Sequence, residues 1–209
     1  MTIVAVETPH GEAKVHLHAA GKPNAALVLG HGAGGGVEAP DLAAATEAGL
    51  AEGTAVALVE QPYRVAGRRS PAPARQLEEA WTAVLERLGA DELRGLPLIA
   101  GGRSLGARVA CRTAERTGAA AVLCLAFPLQ PPSRAGRPPS PSRLEELDAV
   151  EVPLLVVQGE RDRFGIPPPG PSRTVIEVPG DHALRKDPPA VAAAVRDWLP
   201  SVVGATVRR

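Results

Sequence analysis

Ser104 stands in Gly102-Arg103-Ser104-Leu105-Gly106, a match to G-x-S-x-G. The apolar stretch LPLIA (96–100) precedes it, and a helical pattern running through Val109 and Ala110 follows. A strand that turns abruptly into a helix at this point holds the serine in a strained backbone conformation. Small residues two places to either side make the turn possible. The hydroxyl is then presented at a helix N-terminus, where the dipole favours a developing anion. The chemistry on offer is nucleophilic attack on a carbonyl carbon. The chain is rich in glycine, with 22 residues, so the five-residue pattern alone has an ordinary glycine-bracketed turn as its rival. The strand–turn–helix setting raises it above that rival.

A serine hydroxyl needs a base, and the base needs an orienting group. Of five histidines, His10 falls in a predicted hairpin turn, and His16 and His18 alternate on one face of an early strand. That pair has a metal-binding reading, but a surface face is the simpler one. His31 sits just before a glycine loop. His182, in VPGDHAL, comes late in the chain and follows the final apolar run, which makes it the best base. For the acid, Asp162 in VVQGERDRFG follows the penultimate run and lies in a glycine-bounded loop. Glu160 is its closest rival. Asp148 lies before that run, Asp187 lies after the histidine, and Asp181 would have to fold back on its neighbour. The chain order Ser104, Asp162, His182 is the order of this triad on an α/β-hydrolase sheet.

The loop in LVLGHGAGGG (27–36) has two readings. Gly30, Gly32 and Gly35 satisfy G-x-G-x-x-G, and Glu60 ends the next apolar run near where a dinucleotide site wants an acid for the ribose. Two candidate strands precede this loop, however, whereas the dinucleotide fingerprint usually belongs to the first strand of its sheet. The alternative is an oxyanion loop. It would aim a backbone N–H at a carbonyl oxygen while the N–H of Leu105 supplies a second donor. A tight turn without a ligand is the plainest reading. The oxyanion role is preferred because it completes the constellation that Ser104 implies.

These residues must be positioned by the elements between them. Two β-type stretches, 2–7 and 13–19, flank Pro9 and Gly11 and read as a hairpin. After Pro23 the apolar residues come in continuous blocks: AALVLG, TAVALVE, LPLIAGG, AAVLCLAF, PLLVVQG and RTVIEVPG. Continuous runs suit strands covered on both faces, as in a parallel sheet. Helical patterns alternate with them. Leu77, Trp81, Val84, Leu85 and Leu88 share one face, and Pro188 and Pro189 open a last helix over AVAAAVRDWL. The expected fold is α/β, with a mostly parallel central sheet, helices on both faces, an N-terminal antiparallel hairpin and no large lid domain. Length fits a single domain over residues 1–209. The proline-rich segment 128–142 reads as a long loop at the carboxyl edge of the sheet; a second proline-rich segment, 166–172, follows Gly165, and the two loops are candidates to cover the site.

Charge is balanced, with 23 basic and 23 acidic residues, so nothing electrostatic argues for nucleic acid or an acidic membrane surface. Basic spots such as Arg68-Arg69 and Arg208-Arg209 read as solvated surface. Cys111 and Cys124 have no metal-ligand spacing and read as free buried thiols of a reducing compartment. No basic region precedes the first apolar stretch, and the longest apolar run, 119–129, is too short to span a bilayer. A cytoplasmic protein with no membrane partner is expected. Oligomeric state is left open.

The segments HGAGGG, QPYRVAGRRSP, GGRSLGARVA, FPLQPPSR, VQGERDRFG and PGDHAL together resemble the α/β-hydrolases related to testis-expressed protein 30 and the third subunit of the NSL chromatin complex. Those are in turn distantly similar to dienelactone hydrolases. The resemblance runs over about residues 25–199, with the motifs in matching order. It implies a compact hydrolase fold with Ser104 as nucleophile, Asp162 as acid and His182 as base. It also implies Ala33 as the oxyanion donor that joins Leu105, with Gly34 as the fallback. Gln130 departs from the group, standing where related segments carry a histidine.

The reading that follows is a serine hydrolase for a small-molecule acyl substrate (an ester, thioester or lactone) that needs neither metal nor cofactor. A non-catalytic interaction module on the same fold is the alternative, and a dinucleotide-binding protein comes third. Arg103 invites two readings: attraction of a carboxylate-bearing substrate, or an ion pair, for which Glu60 is the expected partner. Tyr63 either lines the pocket or packs in the core.

Overall fold

The computed structural model describes residues 1–18, 21–132 and 140–206. Part of the proline-rich segment 128–142 and the Arg208-Arg209 pair lie outside them. Strands β1 (Thr2–Thr8) and β2 (Gly11–His18) form the expected antiparallel hairpin, with Thr8 opposite Gly11. Six further strands follow: β3 (Ala26–Gly30), β4 (Ala55–Glu60), β5 (Leu98–Arg103), β6 (Ala121–Leu125), β7 (Leu154–Gly159) and β8 (Arg173–Val178). The sheet order is β1-β2-β4-β3-β5-β6-β7-β8. Only the pairings of β1 with β2 and of β2 with β4 are antiparallel; β3 to β8 run parallel.

The continuous apolar blocks are explained by two-sided burial. Within β3, Ala26 and Val28 enter one core cluster while Leu27 and Leu29 enter the other. Successive strand side chains point to opposite faces, so a strand covered on both must be apolar throughout. Helices α3 (Ala74–Ala90) and α4 (Leu105–Thr113) cover the first face through Leu77, Trp81, Val84, Leu88 and Val109. Helices α1 (Pro40–Ala51) and α6 (Pro188–Thr206) cover the second through Leu42, Ala45, Val191, Val195 and Leu199. Each fully buried leucine among them contributes about 1.5–3 kcal/mol. Short helices α2 (Pro62–Val65) and α5 (Leu144–Asp148) lie in the connections after β4 and before β7. Among the described residues no connection builds a separate lid domain, and none of the helices is long and apolar enough to cross a membrane.

The last helix runs further than its sequence pattern suggests. It continues through Pro200 to Thr206. Proline removes one helical N–H and strains the preceding turn, but Leu199 and Val202 on either side of it are both buried in the second core cluster, which α1 and the sheet share. Tertiary packing outweighs the local penalty.

Candidate active site

Because β3 to β8 are parallel, the loops after β3, β5, β7 and β8 all leave the same rim. The chain moves from β3 to β4 on one side and resumes with β5 on the other, so the direction of winding reverses between β3 and β5. In an open α/β sheet that reversal opens a crevice at the strands' carboxyl ends. Ser104 ends β5 there, and the glycine loop leaves β3 beside it.

Ser104 caps α4 with φ 51° and ψ −102°, a conformation that is strained for any residue with a side chain. Its N–H donates to the Leu125 carbonyl at 2.9 Å. The flanking glycines answer to a close approach. A Cβ on Gly102 would stand 2.5 Å from the Gly30 carbonyl oxygen, and one on Gly106 would stand 2.5 Å from the Gly30 carbonyl carbon. β3 and α4 therefore pack backbone to backbone at the corner.

The structure brings Ser104, His182 and Asp162 together. Ser104 Oγ lies 2.9 Å from His182 Nε2, and His182 Nδ1 lies 2.8 Å from Asp162 Oδ2. The carboxylate accepts only, so Nδ1 carries the proton and Nε2 is left to accept from the serine hydroxyl. Asp162 has a fully buried carboxylate, and its Oδ1 accepts the Phe164 N–H at 2.9 Å. The Phe164 ring packs on the imidazole, with centroids 4.3 Å apart. A Cβ on Gly159 would stand 2.8 Å from the Asp181 carbonyl carbon, so the histidine loop lies directly against the end of β7. The rival acids are engaged elsewhere or exposed. Asp148 pairs with Arg173, Asp181 accepts the Ala183 N–H, Asp187 accepts the Ala190 N–H, and Glu160 faces solvent.

The glycine loop is held from β4 and α2. His31 is buried, accepts the Gln61 N–H at Nε2 (3.1 Å) and donates from Nδ1 to the Gly32 carbonyl (2.8 Å). That carbonyl belongs to the same peptide unit as the Ala33 N–H, so His31 sets the orientation of this N–H. Burial lowers the His31 pKa and favours the neutral ring that this arrangement needs. Tyr63 is buried, as its packing reading expects, and its hydroxyl donates to the Ala33 carbonyl at 3.2 Å. Burial pushes its phenol pKa up. Among the described residues no backbone acceptor takes the N–H of Ala33 or of Leu105. A Cβ on Gly34 or Gly35 would meet nothing within 4 Å, and α1 begins only at Pro40. Gly35 thus makes no close strand–helix contact of the kind the third glycine of a dinucleotide fingerprint provides.

Arg103 forms an ion pair, but not with Glu60. Its Nε lies 2.9 Å from Asp41 Oδ2, and its Nη2 donates to the His182 carbonyl at 3.0 Å. β3 separates β4 from β5, so Glu60 is two strands away and faces His16 on β2 at 3.5 Å instead. Asp41, at the start of α1, is fully buried. Its burial raises the carboxyl pKa, while the Arg103 guanidinium pulls it down. The guanidinium is committed to Asp41 and to the His182 loop. His10 pairs with Glu79 at 2.5 Å. Among the described residues no group of three or more His, Cys, Asp or Glu side chains is placed to hold a metal ion.

Four residues of this site had no role in the sequence analysis: His31 as the holder of its loop, Asp41, Phe164 and Gln158. Only Gln158 carried a local signal, as a polar residue inside the apolar run PLLVVQG.

A mostly parallel sheet with a serine on the β5 corner and a histidine in the loop after β8 defines an α/β-hydrolase architecture. The sequence profile described as "Alpha/beta hydrolase domain" matches residues 23–169, and the chain belongs to that family. Solved structures agree on the fold. Est1E from Butyrivibrio proteoclasticus superimposes with a TM-score of 0.77 at 15% identity, covering 98% of this chain and 100% of that one. An α/β serine hydrolase without a lid from Xanthomonas campestris gives 0.73 at 19% identity, covering 95% of each chain. A dienelactone hydrolase from Anabaena variabilis gives 0.73 at 17% identity, covering 98% and 96%. No curated protein matches the chain by sequence.

Proposed function

We propose that the chain is a serine hydrolase that cleaves a small ester, thioester or lactone through an acyl-enzyme intermediate, with residues 1–209 acting as one domain. The observation that carries this reading is the continuous hydrogen-bonded path from Ser104 Oγ through the His182 imidazole to the buried Asp162 carboxylate. Ser104 attacks the substrate carbonyl as His182 Nε2 takes its proton. Asp162 holds the imidazole tautomer and stabilises the imidazolium. The N–H groups of Ala33 and Leu105 receive the oxyanion, with Gly34 in reserve. Losing one such donor costs about 100- to 1000-fold in turnover. The protonated histidine hands its proton to the leaving group. Water, deprotonated by the same nitrogen, then releases the acyl group.

Among the structural neighbours, Est1E has been seen with ferulic acid bound, and another is a dienelactone hydrolase. Both support carbonyl chemistry on a small molecule as the substrate class. Closer kinship with the group of testis-expressed protein 30 and NSL subunit 3 is part of the reading. A cytoplasmic location is another part, resting on two cysteines whose spacing fits neither a metal site nor a disulfide framework.

Purified wild-type protein is expected to hydrolyse p-nitrophenyl acetate or butyrate and to be labelled by a fluorophosphonate probe. Ser104→Ala is expected to lose both while keeping its circular dichroism spectrum. Unchanged turnover in that variant would overturn the assignment.

A further inference from the structure

Gln158 is the penultimate residue of β7 and is fully buried. Its amide nitrogen lies 2.8 Å from Asp162 Oδ2, 2.9 Å from the Gly165 carbonyl oxygen and 3.0 Å from the Phe127 carbonyl oxygen. All three partners accept only, and a primary amide offers two hydrogens. Turning the amide over would set its oxygen against a carboxylate and two carbonyls, so the acceptors decide the orientation. In the orientation adopted, Oε1 is buried without a partner among the described residues. An unpaired buried carbonyl is unfavourable. What offsets it is a charge-assisted bond to the carboxylate, stronger than a neutral one.

Asp162 Oδ2 is also the oxygen that accepts His182 Nδ1–H. One carboxylate oxygen thus serves the base and a buried amide together. We infer that Gln158 is a positioning residue for the hydrolase reaction: its amide fixes the Asp162 carboxylate and draws charge away from the oxygen that faces His182. This rests on the reading of Ser104, His182 and Asp162 given above.

The sign follows from the electrostatics. With the amide donor removed, Oδ2 keeps more of its negative charge and the imidazolium is better stabilised. His182 then holds its proton to higher pH and acts as a base over a narrower range. The other charged groups around the imidazole keep their partners. Arg103 stays on the His182 carbonyl and on Asp41, Asp181 on the Ala183 N–H, and Arg163 over the Phe164 ring at 5.2 Å.

The test uses Gln158→Met, similar in length and without a donor. The acid limb of its pH profile for p-nitrophenyl butyrate is compared with wild type, as is the NMR titration of the His182 ring. Both are expected to move to higher pH by about one unit, with kcat reduced more than KM is altered. A residue that only ties the Phe127 and Gly165 loops together would lower stability and leave both midpoints in place, and that result overturns the inference. Should Gln158→Met fail to fold, Gln158→Leu removes the donor with less bulk, and the same shift of both midpoints is expected. In the wild-type protein the Gln158 side-chain amide signals are expected to shift through the same midpoint as the His182 ring, and flat signals overturn the proposal without any variant. The ring titration needs no turnover. Loss of the Ser104 assignment and loss of this one are therefore read separately.

Discussion

His31 shows how much one side chain can organise. It bridges the Gln61 N–H and the Gly32 carbonyl, and it can do so only as a neutral ring with its proton on Nδ1. Burial is the main cause of its lowered pKa, opposed by the bond to Gly32. The unfolded chain takes up a proton at this position as pH falls through about 6.5, the ordinary histidine value. The folded chain resists. Stability supplied by His31 is therefore complete above that pH and is lost as pH falls toward the folded-state value. The melting temperature is expected to drop between pH 7 and pH 5. His31→Gln is expected to start lower and fall less steeply, and equal slopes in the two proteins would remove His31 as the cause. This role was not legible in the sequence. The ring's partner across the rim lies 30 residues further along the chain, and no local pattern announces it.

At the scale of elements, the corner between β5 and α4 depends on contact between backbones. Gly106→Ala would drive a methyl group into Gly30, at a point where neither β3 nor α4 can step aside without disturbing the sheet. Overpacking of this kind costs about 1–3 kcal/mol, and urea denaturation is expected to show a loss at least that large. Gly89→Ala in α3 is the counter-case. A Cβ there meets nothing within 4 Å, so the change should stabilise by about 0.5–1 kcal/mol through the helix preference of alanine. Equal effects at the two positions would contradict the close-approach argument. The G-x-S-x-G spacing was readable because the geometry it serves is local. The same holds for the hairpin around Gly11 and for the amphipathic face of α3. The extent of α6 was not readable, because the burial of Leu199 and Val202 that carries it past Pro200 comes from the core formed with α1 and the sheet.

At the scale of the molecule, the sheet is protected unevenly. β3, β5, β6 and β7 have strand partners on both sides and helices over both faces, while β1 pairs only with β2 and carries the exposed Ile3. Amide exchange followed by mass spectrometry is expected to be slowest in β3 and β5 to β7 and fastest in β1. Faster exchange in β5 than in β1 would contradict this picture of the core. The Ser104 corner and the glycine loop thus rest on the best-protected strands, while the His182 loop leaves the edge strand β8 and packs back against the end of β7.

What the chain determined by itself were the properties that local physics encodes. Two-sided burial demands unbroken apolar runs, a sharp strand-to-helix corner demands small neighbours, and a triad on this sheet has a fixed order along the chain. Those features marked Ser104, Asp162 and His182 and the mostly parallel sheet. Only the tertiary structure decided which strands are neighbours. By inserting β3 between β4 and β5 it gave Arg103 to Asp41 rather than to Glu60. It also set the Gln158 amide against Asp162 and the His31 ring against the glycine loop. Such contacts follow from strand order and loop docking, which are settled by burial summed over the whole sheet and leave no trace in any short stretch of residues.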